Sequence, residues 1–219
     1  MDTNRRAFGL IGALFLVALF TNGIGSELAE STTNHRLILT GELLELICGV
    51  AVVGIGALAF TVFRQVSPGL ATAHLGFRVI EAAVNAMIVL STLTAAELVG
   101  PARDVLLEQR YQAQLIAIYT FSCSGVAWYV LLHRFRVVPR WLTVLGLAGV
   151  AVLLIGSVVD LYGADLDMLL YGAPMGLTEL VIGIWLLTGR ARVRASSSDL
   201  RERGGRNAYG DSPDHAATG

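Results

Sequence analysis

Long apolar runs broken by short polar stretches organise this chain. Six runs reach the length of about 20 mostly apolar residues that a bilayer-spanning helix needs. They cover about residues 7–25, 38–62, 70–93, 112–132, 140–160 and 170–188. The pattern predicts an all-α, polytopic membrane bundle of six helices. Before it stands a short N-terminal tail, residues 1–6, and the transmembrane domain occupies residues 7–190. After Arg194 the sequence SSSDLRERGGRNAYGDSPDHAATG is polar, Gly/Ser-rich and aperiodic. Such a segment buries too little apolar area to offset its ordering entropy, so residues 191–219 are expected to be a disordered tail. Arg5 and Arg6 ahead of the first run also resemble a secretory signal. The length of that run and the five spans that follow favour a retained helix.

Composition agrees. Of 219 residues, 54% are hydrophobic and only 15% charged, with a mean hydropathy of +0.64. A soluble domain carries roughly 25% charged residues. The formal net charge of −1 argues against a nucleic-acid partner. All 16 basic residues are Arg, which fits the codon bias of a GC-rich bacterial genome. Cys48 and Cys123 sit singly inside apolar runs and make neither a disulfide framework nor a metal-ligand spacing.

Arginine placement predicts orientation. With the N-terminus inside, inner segments hold Arg5, Arg6, Arg64, Arg134, Arg136, Arg140, Arg190, Arg192 and Arg194. Outer loops hold Arg36, Arg103 and Arg110 together with Glu27, Glu30, Glu97, Asp104, Glu108, Asp165 and Asp167. The positive-inside rule then places both termini in the cytoplasm and the protein in a bacterial inner membrane, with lipid as its surroundings. Trp141, beside Pro139 and Arg140, suits the headgroup boundary. Pro101 and the following ARDVLLEQR suggest a short interfacial helix in the outer loop 94–111. Asp160 is expected at the interface.

Ionisable groups inside spans are the informative ones, because each costs about 2.5–3.5 kcal/mol at the bilayer centre on the insertion scale. Glu42 and Glu45 lie in the second span, Arg78 and Glu81 in the third, Glu179 in the sixth. His74, Arg78, Glu81 and Asn85 follow i, i+4, i+7, i+11 and share one stripe. Glu179 shares a face with Gly172, Gly176 and Gly183, and such small residues let helices approach closely. At about 1.5 Å of rise per residue, Glu45, Arg78, Glu81 and Glu179 fall near one midplane layer, with Asn85 beside them. These five residues form the candidate ligand-binding cluster. One arginine cannot neutralise three glutamates, so a carboxyl is expected to be protonated, or a cation or amine to share the site. The opposing reading is that the charges only pin helix packing.

Other chemistry is thin. Ser122-Cys123-Ser124-Gly125 is a weak echo of an intramembrane serine protease, with no later mid-span His to serve as base. No HExxH, metal triad or phosphate-binding loop is present, so no metal, catalytic set or cofactor is expected. His74 reads as a helix-boundary residue.

Three stretches, HLGFRVIEAAVN, VVPRWLTVLGLAG and PMGLTELVIGIWLLTGR, occur here in order. Together with the six spans they resemble the bacterial multi-pass membrane proteins grouped as domain of unknown function 4386, over about residues 7–190. The matching polar positions are Arg78, Glu81, Pro139, Arg140, Trp141, Glu179 and Trp185. The fourth span, IAIYTFSCSGVAWYVLL, departs from the family's His- and Gly-containing version. The resemblance implies a shared fold and no established activity. Function therefore stays open among three classes: a binder or conductor of a small solute, proton or cation, a structural or regulatory membrane protein, and an intramembrane enzyme.

Overall fold

The computed structural model describes residues 2–31, 34–164, 166–189 and 191. It consists of α1 (Asp2–Glu30), α2 (His35–Phe63), α3 (Pro68–Ala96), α4 (Pro101–Arg134), α5 (Arg140–Val159) and α6 (Met168–Leu187). All six are long and apolar enough to cross a membrane, and there is no strand among the described residues. Asp165, Arg190, Arg192, Arg194 and all but the first residue of the expected tail lie outside the described residues.

Local chemistry sets the helix starts. Asn34 caps α2 by accepting from the Arg36 N–H at 3.0 Å, and Asp167 caps α6 by accepting from the Leu169 N–H at 2.8 Å. Pro68 and Pro101 open α3 and α4, where a missing N–H costs nothing. Between Ala102 and Ser124 there is neither glycine nor proline. The expected outer-loop helix therefore does not stop at the membrane boundary but continues as the first turns of α4.

The helices form a closed ring of antiparallel neighbours. Each packs on the next, and α6 returns to α1. We call the end where α1 begins the near end and the other the far end. Close backbone contacts fix two walls. A Cβ on Gly41 would lie 2.6 Å from the Gly25 carbonyl oxygen, so α1 and α2 meet there only because neither has a side chain. A Cβ on Gly12 would lie 2.6 Å from the Gly183 carbonyl oxygen, which brings α6 against α1.

Side chains fill the ring's interior. Toward the near end they are aromatic: Phe8 on Phe63 (6.0 Å between centroids), Phe63 on Trp128 (6.2 Å) and on Phe135 (5.8 Å), and Phe15 on Trp128 (5.7 Å). Toward the far end polar groups replace them. The chain leaves α5 through a wide turn, Asp160–Ala164, containing Gly163 at φ 88°. Asp160, expected at the interface, is buried at this turn. Its carboxylate accepts from the Leu166 N–H (3.0 Å), the Tyr111 hydroxyl (3.0 Å) and the Tyr171 hydroxyl (3.3 Å).

Overpacking a close helix contact costs about 1–3 kcal/mol. Gly41→Leu is accordingly expected to lower unfolding stability in detergent by that amount, whereas Gly23→Leu, with nothing within 4 Å of its Cβ position, leaves it unchanged. Equal melting of both variants would contradict the α1–α2 contact.

Candidate functional site

Buried charge occupies two storeys of the interior. The first is built on α3. Ala71, His74, Arg78, Glu81, Val84 and Ile88 share its buried face, and the 3.6-residue period explains why His74, Arg78 and Glu81 point inward together. Arg78 is 2% exposed. Its Nη1 donates to both Glu81 carboxylate oxygens, at 3.3 and 3.1 Å. Its guanidinium lies over Phe121 of α4 (5.1 Å) and Phe15 of α1 (5.8 Å). A weakly hydrated, planar cation tolerates such aromatic walls better than an ammonium would.

Glu179 approaches this storey from α6. The Gly12–Gly183 contact draws that helix inward. Glu179 is half-buried and within electrostatic range of Arg78 and Glu81. It makes no hydrogen bond or ion pair among the described residues. Asn85, one turn beyond Glu81, is half-buried, and Val84 and Ile88 take the inward positions beside it.

The second storey lies nearer the far end. Gly49 packs on Ala82 and Gly56 on Arg78, which places Glu45 about one turn from the level of Glu81. Glu45 is 4% exposed and its partner is Arg110 of α4 rather than Arg78. Arg110 Nη2 donates to Glu45 Oε1 at 2.9 Å, and Nη1 donates to Glu42 Oε1 at 3.2 Å and to the Thr92 hydroxyl. Ser26 of α1 donates to Glu45 Oε1 at 3.1 Å. Four helices are tied by one guanidinium and two carboxylates. Cys48, one turn below Glu45, lies within electrostatic range of Glu45, Arg78, Glu81 and Glu179, so the two storeys are neighbours.

The five candidates are therefore distributed as follows. Arg78 and Glu81 are bonded to each other, Glu179 stands beside them, Glu45 belongs to the Arg110 storey, and Asn85 sits between the storeys. Sequence reasoning placed Arg110 in an outer loop and left it out. Two signals pointed the other way: the unbroken helical run from Ala102, and a pair of acids on α2 with no cation of their own.

His74 also departs from its boundary reading. It is fully buried, stacked on Trp128 at 5.3 Å between centroids. Its Nδ1 lies 2.9 Å from the Ser124 hydroxyl and 3.1 Å from the Ser124 carbonyl oxygen. A carbonyl can only accept, so that contact favours the tautomer in which Nδ1 carries the proton and donates. A histidine so committed is not poised to take a proton from Ser124, and both residues are wholly inaccessible. The pair joins α3 to α4.

The sequence model of the family described as "Domain of unknown function (DUF4386)" matches residues 7–189. The chain belongs to this family. No curated protein and no solved structure matches it. Within this DUF4386 chain, both storeys and the six helices, apart from the first five residues of α1, fall inside the matched span.

Breaking a buried pair leaves an uncompensated charge and costs about 3–5 kcal/mol, while replacing a whole triad with apolar residues is often neutral. Arg110→Ala should thus destabilise the bundle by about that amount. Combining Arg110→Met with Glu42→Leu and Glu45→Leu should restore most of the loss, as read by unfolding in detergent. A triple variant weaker than the single would contradict this account of the far-end storey.

Proposed function

We propose that this membrane protein binds or passes a proton or small cation through the polar interior of its helix ring. Glu179 is the acceptor, Arg78 and Glu81 its electrostatic setting, and Glu45 and Asn85 the approach from the far end. One observation carries the reading. Glu42, Glu45, Glu81 and Glu179 face the interior against only Arg78 and Arg110, and Glu179 alone of the four acids has no hydrogen-bonded cation among the described residues. An uncompensated carboxylate in a low-dielectric interior takes up a proton or recruits a cation. The aromatic packing between Phe15, Phe63 and Trp128 closes the near end, so exchange runs from the far end.

The packing reading has its own support. Arg78–Glu81 and Arg110–Glu42/Glu45 are ion pairs that leave those three acids no open cation to recruit. It assigns the charges to helix register and leaves Glu179 without a role.

We take the membrane to be a bacterial inner membrane, with an orientation argued from exposed charge. Arg5, Arg6, Arg64, Arg134, Arg136 and Arg140 are exposed at the near end, against Arg36 and Arg103 at the far end. By the rule that basic residues stay inside, we take the near end, where α1 begins and α6 ends, as the cytoplasmic side.

The test is flux into liposomes bearing the purified protein, with a pH-sensitive dye for protons and isotopic sodium and potassium for cations. Wild-type protein should raise the uptake of at least one of these above protein-free vesicles, and Glu179→Gln should lower it by about tenfold, equivalent to about 1.4 kcal/mol of lost interaction. Uptake equal to protein-free vesicles for all three, with melting insensitive to each cation, would leave the packing reading in place.

A further inference from the structure

Among the described residues, three buried side-chain polar atoms without a protein hydrogen-bond partner belong to one knot of residues around Phe15: His74 Nε2, Arg78 Nε and Trp128 Nε1. The parent residues are 0%, 2% and 1% exposed. The His74 ring stacks on Trp128 at 5.3 Å. Phe15 touches both Trp128 (5.7 Å) and the Arg78 guanidinium (5.8 Å). Arg78 follows His74 by one turn of α3, about 6 Å of rise.

Each orphan has a defined polarity. In the tautomer that the Ser124 carbonyl oxygen favours, Nδ1 of His74 donates, and Nε2 carries a bare lone pair that needs a donor. Arg78 Nε–H and Trp128 Nε1–H are donors only and need acceptors. In a membrane interior, an unmet group of this kind costs free energy that lipid cannot return. An inorganic anion would satisfy the two N–H groups and repel the lone pair. A metal cation would satisfy the lone pair and repel the N–H groups. A hydroxyl donates once and accepts twice, which meets all three demands.

We infer that His74, Arg78 and Trp128 enclose a binding site for a neutral hydroxyl, either internal water or the hydroxyl of a small alcohol. His74 lies one turn toward the near end from Arg78, and none of the three orphaned atoms belongs to Glu179, so the site does not depend on whether that carboxylate takes a cation. Buried waters typically make about three hydrogen bonds to groups otherwise unmet, the number on offer here. The bound hydroxyl joins the Arg78–Glu81 pair to the His74–Ser124 pair and completes a polar column along α3.

The experiment is magic-angle-spinning NMR of the full chain in lipid bilayers with ¹⁵N-labelled His and Trp. His74 is assigned among the four histidines by the resonance lost in His74→Gln. If that variant does not fold, elimination with His35→Gln, His133→Gln and His215→Gln serves instead. The inference expects His74 neutral, protonated on Nδ1, with Nε2 accepting a hydrogen bond. Polarisation should pass from water to both the His74 ring and the Trp128 indole N–H. In Trp128→Phe, which keeps the aromatic packing and removes one donor, transfer to His74 should fall about twofold. If the guest is an alcohol, transfer comes instead from the carbons of added ¹³C-ethanol. A His74 protonated on Nε2, or absence of transfer from both water and ethanol, overturns the site.

Discussion

A guanidinium that cannot leave the hydrocarbon governs this structure. Arg78 and Arg110 sit at 2% and 4% exposure inside a helical ring, where an unpaired cation would be untenable and a snorkelling path to water is closed by neighbouring helices. Each is neutralised by carboxylates placed one helical turn apart or on the same face: Glu81 for Arg78, Glu42 and Glu45 for Arg110. The geometry of the bundle follows from those pairings. α4 must begin well before its apolar run so that Arg110 can reach α2, and α1 must come close enough at Gly25 and Gly41 for Ser26 to meet Glu45. Lipid offers helices no hydrophobic drive toward each other, so glycine contacts and buried polar bonds set which faces meet.

The interior is divided in composition along its length. Aromatic rings fill the near end, and charge fills the middle and far end. The first is closely packed, with the His74 ring stacked among its aromatic side chains. The second holds the ion pairs Arg78–Glu81 and Arg110–Glu42/Glu45. Glu179 stands at the boundary, drawn in by α6 and left without a bonded counter-ion among the described residues. That position separates it from the three buried acids Glu42, Glu45 and Glu81, each of which is hydrogen-bonded to an arginine.

Most of the architecture was legible in the sequence because membrane spans are written in length and hydropathy. Five helices lie within about five residues of the apolar runs, α4 begins eleven residues before its own, and the α3 stripe of His74, Arg78 and Glu81 points inward as its spacing requires. What the pattern did not yield were the pairings. Spacing along one helix says which residues share a face, and it does not say which neighbouring helix that face meets. Glu45 therefore could not be assigned to Arg110 instead of Arg78. Arg110 was hidden by a hydropathy boundary: it precedes the apolar run by one residue, so a span defined by apolarity stops short of it although the helix does not. His74 was misread for the same reason, lying near the start of a span yet beneath the Trp128 ring.

The central claim is that Arg110 and the α2 acids are bonded partners in the membrane interior. A double-mutant cycle on Arg110→Met and Glu45→Gln, read by reversible unfolding in bilayer-like detergent, addresses it directly. Groups in one ion-pair network couple by about 0.5–3 kcal/mol, and the account predicts a coupling in that range, with the double variant less destabilised than the sum of the singles. Strict additivity, within about 0.3 kcal/mol, would mean that the two side chains do not meet, and the two-storey interior would have to be abandoned.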